Sequence, residues 1–251
     1  MTKVHTLKTG EQSEIFPALL TEAAKLAESD PALAPLLSSV IQPSKSLCEA
    51  VSRLLSEKLA TKHLPEGMLL QLFAGFADAV PDLENIIERD MRTVAKHDPA
   101  ARDWIAPFLF FKGFHAIQAY RLSHYLWNAD RQHLALFLQN RISDLFAVDI
   151  HPAARIGRGI MMDHATGIVI GETSIVEDDV LFWHNVTLGG KSFAPGDRHP
   201  KIRNGAQLGA HSTVIGNIEI GKGAKVAAGS IVIHDVPAGA TVAGIPAKIV
   251  S

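Results

Sequence analysis

A six-residue period runs through this chain from residue 150 to residue 236. Large apolar side chains recur at this interval in successive runs, at Ile150, Ile156, Met162 and Ile168, then at Ile170, Val176, Phe182 and Leu188, and after a break at Ile202, Leu208, Val214, Ile220, Val226 and Val232. A period of six fits neither a helix nor a simple alternating strand. It fits short parallel strands wound into a triangular solenoid, three hexads to a coil, with the aliphatic side chains inside. An ordinary β-sandwich would leave the constant phase unexplained.

The N-terminal half has a different pattern. Of the 19 glycines only four precede Asp149, and residues 14–148 show helical periodicity broken by prolines. The clearest stripe is Leu83, Ile86, Ile87, Met91 and Val94, and further helices are predicted over 44–62, 65–79, 112–128 and 131–148. We therefore predict an α+β chain, with an all-α domain over residues 1–148 and a β-helix over residues 149–251. No linker separates them, so rigid docking is expected.

Composition excludes several classes of function. A formal charge of −2 and a pI near 6.6 give no electrostatic basis for nucleic-acid binding. Cys48 is the single cysteine, which excludes an internal disulfide and suits a cytoplasmic location. No apolar run reaches the roughly 18 residues of a membrane span, and the polar start over residues 1–12 does not look like a signal peptide.

Two segments invite a functional interpretation. The break over residues 191–201 is the only long interruption of the repeat, so it must loop out of the solenoid, and insertions in repeat proteins often carry function. The stretch from Pro107 to Trp127 holds seven aromatic residues, dense enough for either a core or a subunit interface.

At this level of detail the chain resembles the bacterial serine acetyltransferases. The resemblance rests on five segments, which are Phe111-Lys112-Gly113-Phe114-His115-Ala116, Asp149-Ile150-His151-Pro152, Met162-Asp163-His164-Ala165-Thr166-Gly167, Val186-Thr187-Leu188-Gly189-Gly190 and Gly196-Asp197-Arg198-His199-Pro200. It implies a left-handed parallel β-helix. It also implies trimers that pair through their helical halves into hexamers, with active sites between neighbouring solenoids.

The reaction implied is transfer of acetyl from acetyl-coenzyme A to the hydroxyl of L-serine. A hydroxyl must lose its proton as it attacks a thioester, and a histidine oriented by a carboxylate can accept that proton. The resemblance assigns these roles to His164 and Asp149. It places Arg198 and His199 on the carboxylate of serine, and Asp98 and Asp163 on its ammonium group. L-cysteine, which differs from serine only in its side-chain sulfur, is implied as a feedback inhibitor.

Each of these residues also has a structural interpretation. Asp98 precedes Pro99, a pattern typical of a helix N-cap. Arg198 and His199 could belong to a solvated loop, and Asp149 could cap the first coil. For coenzyme A, the resemblance indicates Gly190, Ala210 and Ala228 beside the pantetheine arm and Lys225 near a phosphate. Acetyl-coenzyme A is implied as co-substrate, with no metal.

The hexad register predicts a second candidate base. The hexad starting at Phe182 should lie over the one starting at Met162, which stacks His184 on His164. Asp149 should lie on the same face as His164, about one coil away, whereas His184 has no carboxylate placed in this way. His164 is therefore the preferred base.

Three other functions fit the sequence less well. A related acyltransferase acting on a sugar or antibiotic hydroxyl would lack the long helical half. A zinc lyase on the same solenoid would need a pair of histidines five residues apart, and none of the 12 histidines are so spaced. A non-catalytic scaffold would not require the histidine, aspartate and arginine segments together. Members of the resembled family commonly carry a tail that binds O-acetylserine sulfhydrylase, a partner implied here only if such a tail follows Ser251.

Overall fold

The computed structural model describes residues 14–191 and 195–251, and its N-terminal half is helical. Its eight α-helices are α1 (Ile15–Ser29), α2 (Ala34–Val40), α3 (Leu47–Leu59), α4 (Glu66–Ala79), α5 (Leu83–His97), α6 (Ile105–Phe110), α7 (Lys112–Asn128) and α8 (Gln132–Phe146), with a 3₁₀ turn at Pro31–Leu33. The predicted helices are confirmed with small changes at their ends. The polar start over residues 1–12 and part of the break, residues 192–194, lie outside the described residues.

Local chemistry accounts for where the helices begin and end. α3 begins after Ser46, whose hydroxyl accepts the N–H of Glu49 at 3.1 Å, while the Glu49 carboxylate accepts the N–H of Lys45. α8 ends at Phe146 because Ala147 adopts a left-handed conformation with φ of 55°. The next residue, Val148, already belongs to the first strand.

The C-terminal half is a parallel β-solenoid. Its strands are β1 (Val148–Ile150), β2 (Arg155–Ile156), β3 (Met161–Met162), β4 (Ile168–Ile170), β5 (Ile175–Val176), β6 (Leu181–Phe182), β7 (Thr187–Gly189), β8 (Lys201–Ile202), β9 (Gln207–Leu208), β10 (Thr213–Ile215), β11 (Glu219–Ile220), β12 (Lys225–Val226), β13 (Ile231–Val232), β14 (Thr241–Gly244) and β15 (Ala247–Ile249). Sheet 1 has the order β1-β4-β7-β10-β13, sheet 2 β11-β8-β5-β2 and sheet 3 β15-β14-β12-β9-β6-β3. Every pairing is parallel except β14 with β15, where the chain leaves the repeat. The triangular architecture is confirmed, while its left hand stays a prediction.

The hexad aliphatics form the interior of the solenoid. All are buried except Ile156, which is half-buried. The two-residue slip in the repeat lies between β3 and β4. Met162 pairs with Phe182, and Ile170 pairs with Leu188, in adjacent coils. Ile170 is eight positions after Met162, whereas Leu188 is only six positions after Phe182. Between these paired positions the chain of the lower coil is therefore two residues longer than the chain of the coil above it.

One continuous apolar core runs through the helical half and the solenoid. The aromatic stretch contributes to it, because Phe108, Phe114 and Tyr120 are buried within the chain, whereas Phe110 is 56% exposed. The core interpretation is thus confirmed for most of that stretch.

A polar network ties the helices to the first coil. Asp90 on α5 is fully buried and accepts hydrogen bonds from Arg121 at 2.6 Å, from Gln118 at 2.8 Å and from the backbone N–H of Ile160 at 2.8 Å. Arg121 also donates to the carbonyl of Gly157 at 2.9 Å. Because α5, α7 and the residue before β3 all meet at one carboxylate, the helical half is fixed on the solenoid. Within the described ranges, no helix combines the length and the apolar character that crossing a membrane requires.

Candidate active site

A cavity of about 460 Å³ lies where the helical half meets the solenoid. It is lined by the end of α5, the junction of α6 and α7, and the end of β3. Three of the residues singled out from the sequence meet there, namely Asp98, Asp163 and His164. Phe110, Phe111 and Val94 supply an apolar wall. The cavity therefore combines two carboxylates, an imidazole and a surface that excludes water from part of the space.

The histidine stands on the extended turn between β3 and β4, residues 163–167, which we call the His164 turn. His164 and Ala165 both have positive φ values, 54° and 57°. The imidazole side chain is 78% exposed, and its Nε2 lies 3.8 Å from Oδ1 of Asp163. The imidazole on this turn is thus exposed at the wall of the cavity.

Asp98 closes the end of α5 and does not begin a helix. Its Oδ1 accepts the N–H of Ala100 at 2.8 Å, and the next helix, α6, starts only at Ile105. The N-cap interpretation is therefore wrong. Instead, a short turn holds the Asp98 carboxylate at the wall of the cavity.

Asp149 lies in β1 of sheet 1, and His164 lies in the turn that leads from β3 of sheet 3 into β4, the strand of sheet 1 that pairs with β1. That the two side chains share one face stays a prediction. Asp149 pairs with Val169 in the next strand, and its Oδ1 accepts a hydrogen bond from Gln139 of α8 at 2.6 Å. In the described residues no hydrogen bond or ion pair joins it to His164. The connection is through the backbone, because the N–H of Gly167 donates to the carbonyl of Ala147 at 2.7 Å.

Three histidines stack along one edge of the solenoid. The ring centroids of His164 and His184 are 6.0 Å apart, and those of His184 and His211 are 5.0 Å apart. The predicted placement of His184 over His164 in adjacent coils is confirmed, and the two rings meet edge to face. His211 was missed, although the pairing of Phe182 with Leu208 places it in the coil above. Buried Nδ1 of His184 has no hydrogen-bond partner among the described residues.

Arg198 and His199 lie at a different edge of the triangle, in the loop between β7 and β8. The Arg198 guanidinium donates to Glu172 at 2.7 Å, and this hydrogen bond lowers the pKa of the Glu172 carboxyl. His199 is 7% exposed, and burial, followed by the charge of Arg198, lowers the pKa of its imidazole. The solvated-loop interpretation is therefore wrong for this pair.

The proton on His199 can be assigned from its neighbours. Its Nδ1 accepts the backbone N–H of Thr173 at 3.2 Å, so the neutral ring carries its hydrogen on Nε2. A Cβ built on Gly190 would lie 3.4 Å from that Nε2. Arg198 and His199 thus form a pair of donors beside a glycine, an arrangement suited to a carboxylate.

The residues expected at coenzyme A divide between the two edges. Ala210 and Ala228 occupy the turns above His184, because Phe182 pairs with Leu208 and Leu208 with Val226. Lys225 is exposed on β12 of the adjoining sheet 3. Gly190 belongs instead with Arg198 and His199. We call the turns 163–167, 183–186, 209–212 and 227–230 the histidine edge, and residues 171–174, 190–191 and 195–200 the arginine edge.

A single chain does not bring the two edges together. Sheet 1 separates them, and its three-residue strands span roughly 10 Å at about 3.3 Å per residue. His164 and the pair Arg198 and His199 therefore lie at different corners of one solenoid. In the part of the chain that the structure describes, no group of three or more His, Cys, Asp or Glu side chains is placed to hold a metal ion.

A parallel hexapeptide-repeat solenoid with an exposed histidine beside carboxylates at one edge defines the class as an acyltransferase of the hexapeptide-repeat type. Residues 15–119 match the family model described as the N-terminal part of serine acetyltransferase. The chain is 49% identical over 238 residues to the serine acetyltransferase of Haemophilus influenzae, covering 95% of this chain and 89% of the relative. It is 47% identical over 236 residues to that of Escherichia coli K12, covering 94% and 86%. The chain belongs to the serine acetyltransferase family.

Solved structures agree with this assignment. A serine acetyltransferase in complex with cysteine matches with a TM-score of 0.93 and 49% identity, over 95% of this chain and 99% of the other. The serine acetyltransferase of Brucella abortus strain S19 in complex with coenzyme A matches with a TM-score of 0.94 and 43% identity, over 96% of each chain. The protein is thus an enzyme, and the long helical half that distinguishes this family is present.

Proposed function

We propose that this enzyme transfers acetyl from acetyl-coenzyme A to the hydroxyl of L-serine, giving O-acetyl-L-serine, the precursor of cysteine. The observation that carries the proposal is the cavity in which Asp98, Asp163 and His164 meet. Serine is a zwitterion, so a pair of carboxylates suits its ammonium group. Their proximity to an exposed imidazole would place the serine hydroxyl next to a proton acceptor.

His164 is the proposed general base. A neutral imidazole can take the hydroxyl proton as the oxygen attacks the thioester, and return it to the coenzyme A thiolate as the tetrahedral intermediate collapses. Asp163 lies close enough to stabilise the imidazolium that forms between these steps. Asp149 would act from β1, as the family resemblance implies, by orienting the turn or the ring once the substrate is bound.

We propose that a neighbouring subunit completes the site. Arg198 and His199 sit at the arginine edge, whereas the cavity opens at the histidine edge. A ring of three solenoids would set the arginine edge of one subunit against the histidine edge of the next. The substrate carboxylate would then meet Arg198 and His199 of that neighbour. Pairing of two such trimers through the helical halves would give a hexamer of 27.1 kDa chains.

Acetyl-coenzyme A is proposed to run along the histidine edge. Above His164 and His184, the equivalent turns carry Ala210 and Ala228, whose small side chains leave room for a pantetheine arm. Lys225 is exposed beside this path and could meet a phosphate. Across the proposed interface, Gly190 of the neighbouring subunit would also leave room for the pantetheine arm. A solved relative binds coenzyme A, which supports this choice of co-substrate.

L-cysteine is proposed as a competitive inhibitor, because its ammonium and carboxylate groups are those of serine. A relative has been solved in complex with cysteine, in support of this proposal. We further propose a cytoplasmic location, in keeping with a single cysteine, and O-acetylserine sulfhydrylase as partner if a C-terminal tail exists.

The function is tested by following thiol release from acetyl-coenzyme A in the presence of L-serine. Serine-dependent release is expected, and release with sugar or aminoglycoside hydroxyls but not with serine would favour the other hexapeptide acyltransferases. D-serine is the matched control, since it has the same groups in the wrong arrangement. Absence of thiol release with every acceptor would contradict an enzymatic function.

Arg198→Ala is expected to weaken serine and cysteine together. Losing a charge-assisted hydrogen bond to the carboxylate should cost roughly 1.5–3 kcal/mol, or about 10- to 100-fold in the KM for serine and in the inhibition constant for cysteine. The KM for acetyl-coenzyme A should change little. Arg203→Ala is the control, because Arg203 is also a solenoid arginine paired with acids, Glu177 and Glu219, but lies just after β8, at the turn that leads from sheet 2 to sheet 3. An unchanged KM for serine in Arg198→Ala would contradict the assignment.

A further inference from the structure

The His164 turn is an unusual place for a residue that must be held precisely. Two consecutive non-glycine residues, His164 and Ala165, have positive φ values, a costly conformation that persists only where the surroundings enforce it. Within one chain the imidazole is mostly exposed, so packing inside the chain does not fix it. The backbone that carries the ring is then positioned by the contacts that the rest of the turn makes.

Backbone hydrogen bonds hold the turn from below and from above. The N–H of Gly167 donates to the carbonyl of Ala147 in the coil below, and the N–H of Asn185 in the coil above donates to the carbonyl of Thr166, both at 2.7 Å. These bonds fix the C-terminal end of the turn along the solenoid axis. They do not restrain the turn sideways, that is, in the direction of the helical half.

The helical half supplies the sideways contact. α7 begins at Lys112, and its second residue, Gly113, lies so close to β3 that an added Cβ would be 2.0 Å from the carbonyl oxygen of Met162. This close approach brings the Lys112 side chain over the turn, where Nζ donates a hydrogen bond to the hydroxyl of Thr166. That hydroxyl in turn donates to the carbonyl of His164 at 3.4 Å.

We propose that Lys112 is a positioning residue for His164, acting through the hydroxyl of Thr166. The lysine, fixed by the close docking of α7, holds the extended turn so that the imidazole faces the cavity. This role rests on the proposed function, because it presumes that His164 is the base. A direct contact between Lys112 and the substrate is the competing role, since Lys112 also lines the cavity.

The two roles differ in what Thr166 does. If Lys112 acts through Thr166, then Lys112→Met and Thr166→Val break the same bond and should have the same effect. Each should lower kcat by roughly 10- to 100-fold, because a small displacement of a catalytic group is costly, with both KM values nearly unchanged. The double variant should be no worse than either single variant. Thr166→Ser keeps the hydroxyl and should retain near wild-type kcat.

The experiment measures kcat and both KM values for these four variants and for His164→Ala, together with the urea midpoint of each. Thr166→Val is an exposed substitution and should unfold at the wild-type midpoint, which separates positioning from loss of structure. The proposal is overturned if Thr166→Val has wild-type kcat, if Lys112→Met changes only the KM for serine, or if the two losses multiply. An active His164→Ala enzyme with coupled Lys112 and Thr166 would instead overturn the proposed base.

Discussion

His164→Ala should lower kcat by roughly 10² to 10⁴, because the serine hydroxyl then lacks a proton acceptor at the site of attack. Binding of acetyl-coenzyme A should be largely kept, since the loss affects the chemical step. The measurement is steady-state thiol release at saturating serine, with coenzyme A binding followed separately by calorimetry.

His184→Ala is the matched control for this prediction. His184 stacks 6.0 Å from His164 at the same edge, but it is half-buried and the carboxylate contact belongs to His164 alone of the two. We expect its replacement to cost far less than that of His164. Asp149→Asn should fall between the two, with a loss smaller than that of His164→Ala. An inactive His184→Ala enzyme beside an active His164→Ala enzyme would reverse the assignment of the base.

Asp90→Ala should destabilise the protein by about 3–5 kcal/mol, because it leaves the charge of Arg121 buried without its partner. Asp90 is fully buried, and the Arg121 side chain is only 9% exposed. The same substitution removes the acceptor for Gln118 and for the N–H of Ile160, so it should also loosen the helical half from the first coil. The measurement is the urea midpoint at fixed subunit concentration, because assembly contributes to stability.

Asp82→Ala provides the comparison for Asp90→Ala. Asp82 also joins the start of α5 to the solenoid, through Arg158 at 3.0 Å, but both side chains are about half exposed. Such a pair is worth less than about 1 kcal/mol. Replacing both members of the buried pair, as in Asp90→Leu with Arg121→Met, should cost less than Asp90→Ala alone. Equal losses in Asp90→Ala and Asp82→Ala would contradict a special role for the buried pair.

The architecture could be predicted from the sequence because its signals are local and repeated. Six-residue spacing can place aliphatic side chains inward in every coil only if the strands are short and the turns regular, and the buried hexad positions confirm this. The register even located the stacking of His164 on His184. The resemblance, carried by five short segments, added the serine acetyltransferase family, which the comparisons show.

The parts that were missed depend on contacts between distant segments. Asp90 lies three residues after Ile87 and directly before Met91, which places an acidic side chain within the apolar stripe of α5. This position was the sequence signal that could have predicted the buried network. Nothing in the spacing showed that the partner would be Arg121 on α7. The hydrogen bond from Gln139 of α8 to Asp149 is likewise a contact between segments whose meeting the spacing cannot show.

The central proposal, a site shared by two edges of neighbouring subunits, is tested most directly by mixing two impaired variants and assaying them at a serine concentration below the wild-type KM, where both parents are nearly inactive. His164→Ala and Arg198→Ala chains carrying different tags are co-expressed, and mixed oligomers are purified on both tags. In a ring, an intact site forms wherever the histidine edge of an Arg198→Ala chain meets the arginine edge of a His164→Ala chain. Random mixing of equal amounts should restore about a quarter of the wild-type activity per site.

The control mixes His164→Ala with Asp163→Ala, two changes in the same turn. Every chain in this mixture has a damaged histidine edge, so no interface holds an intact site and no activity should return. Recovery in the first mixture and none in the second is the result that a shared site predicts. If the mixture of His164→Ala and Arg198→Ala stays as inactive as its parents, while light scattering shows the same oligomer, each chain must hold a complete site and the shared-site account is contradicted.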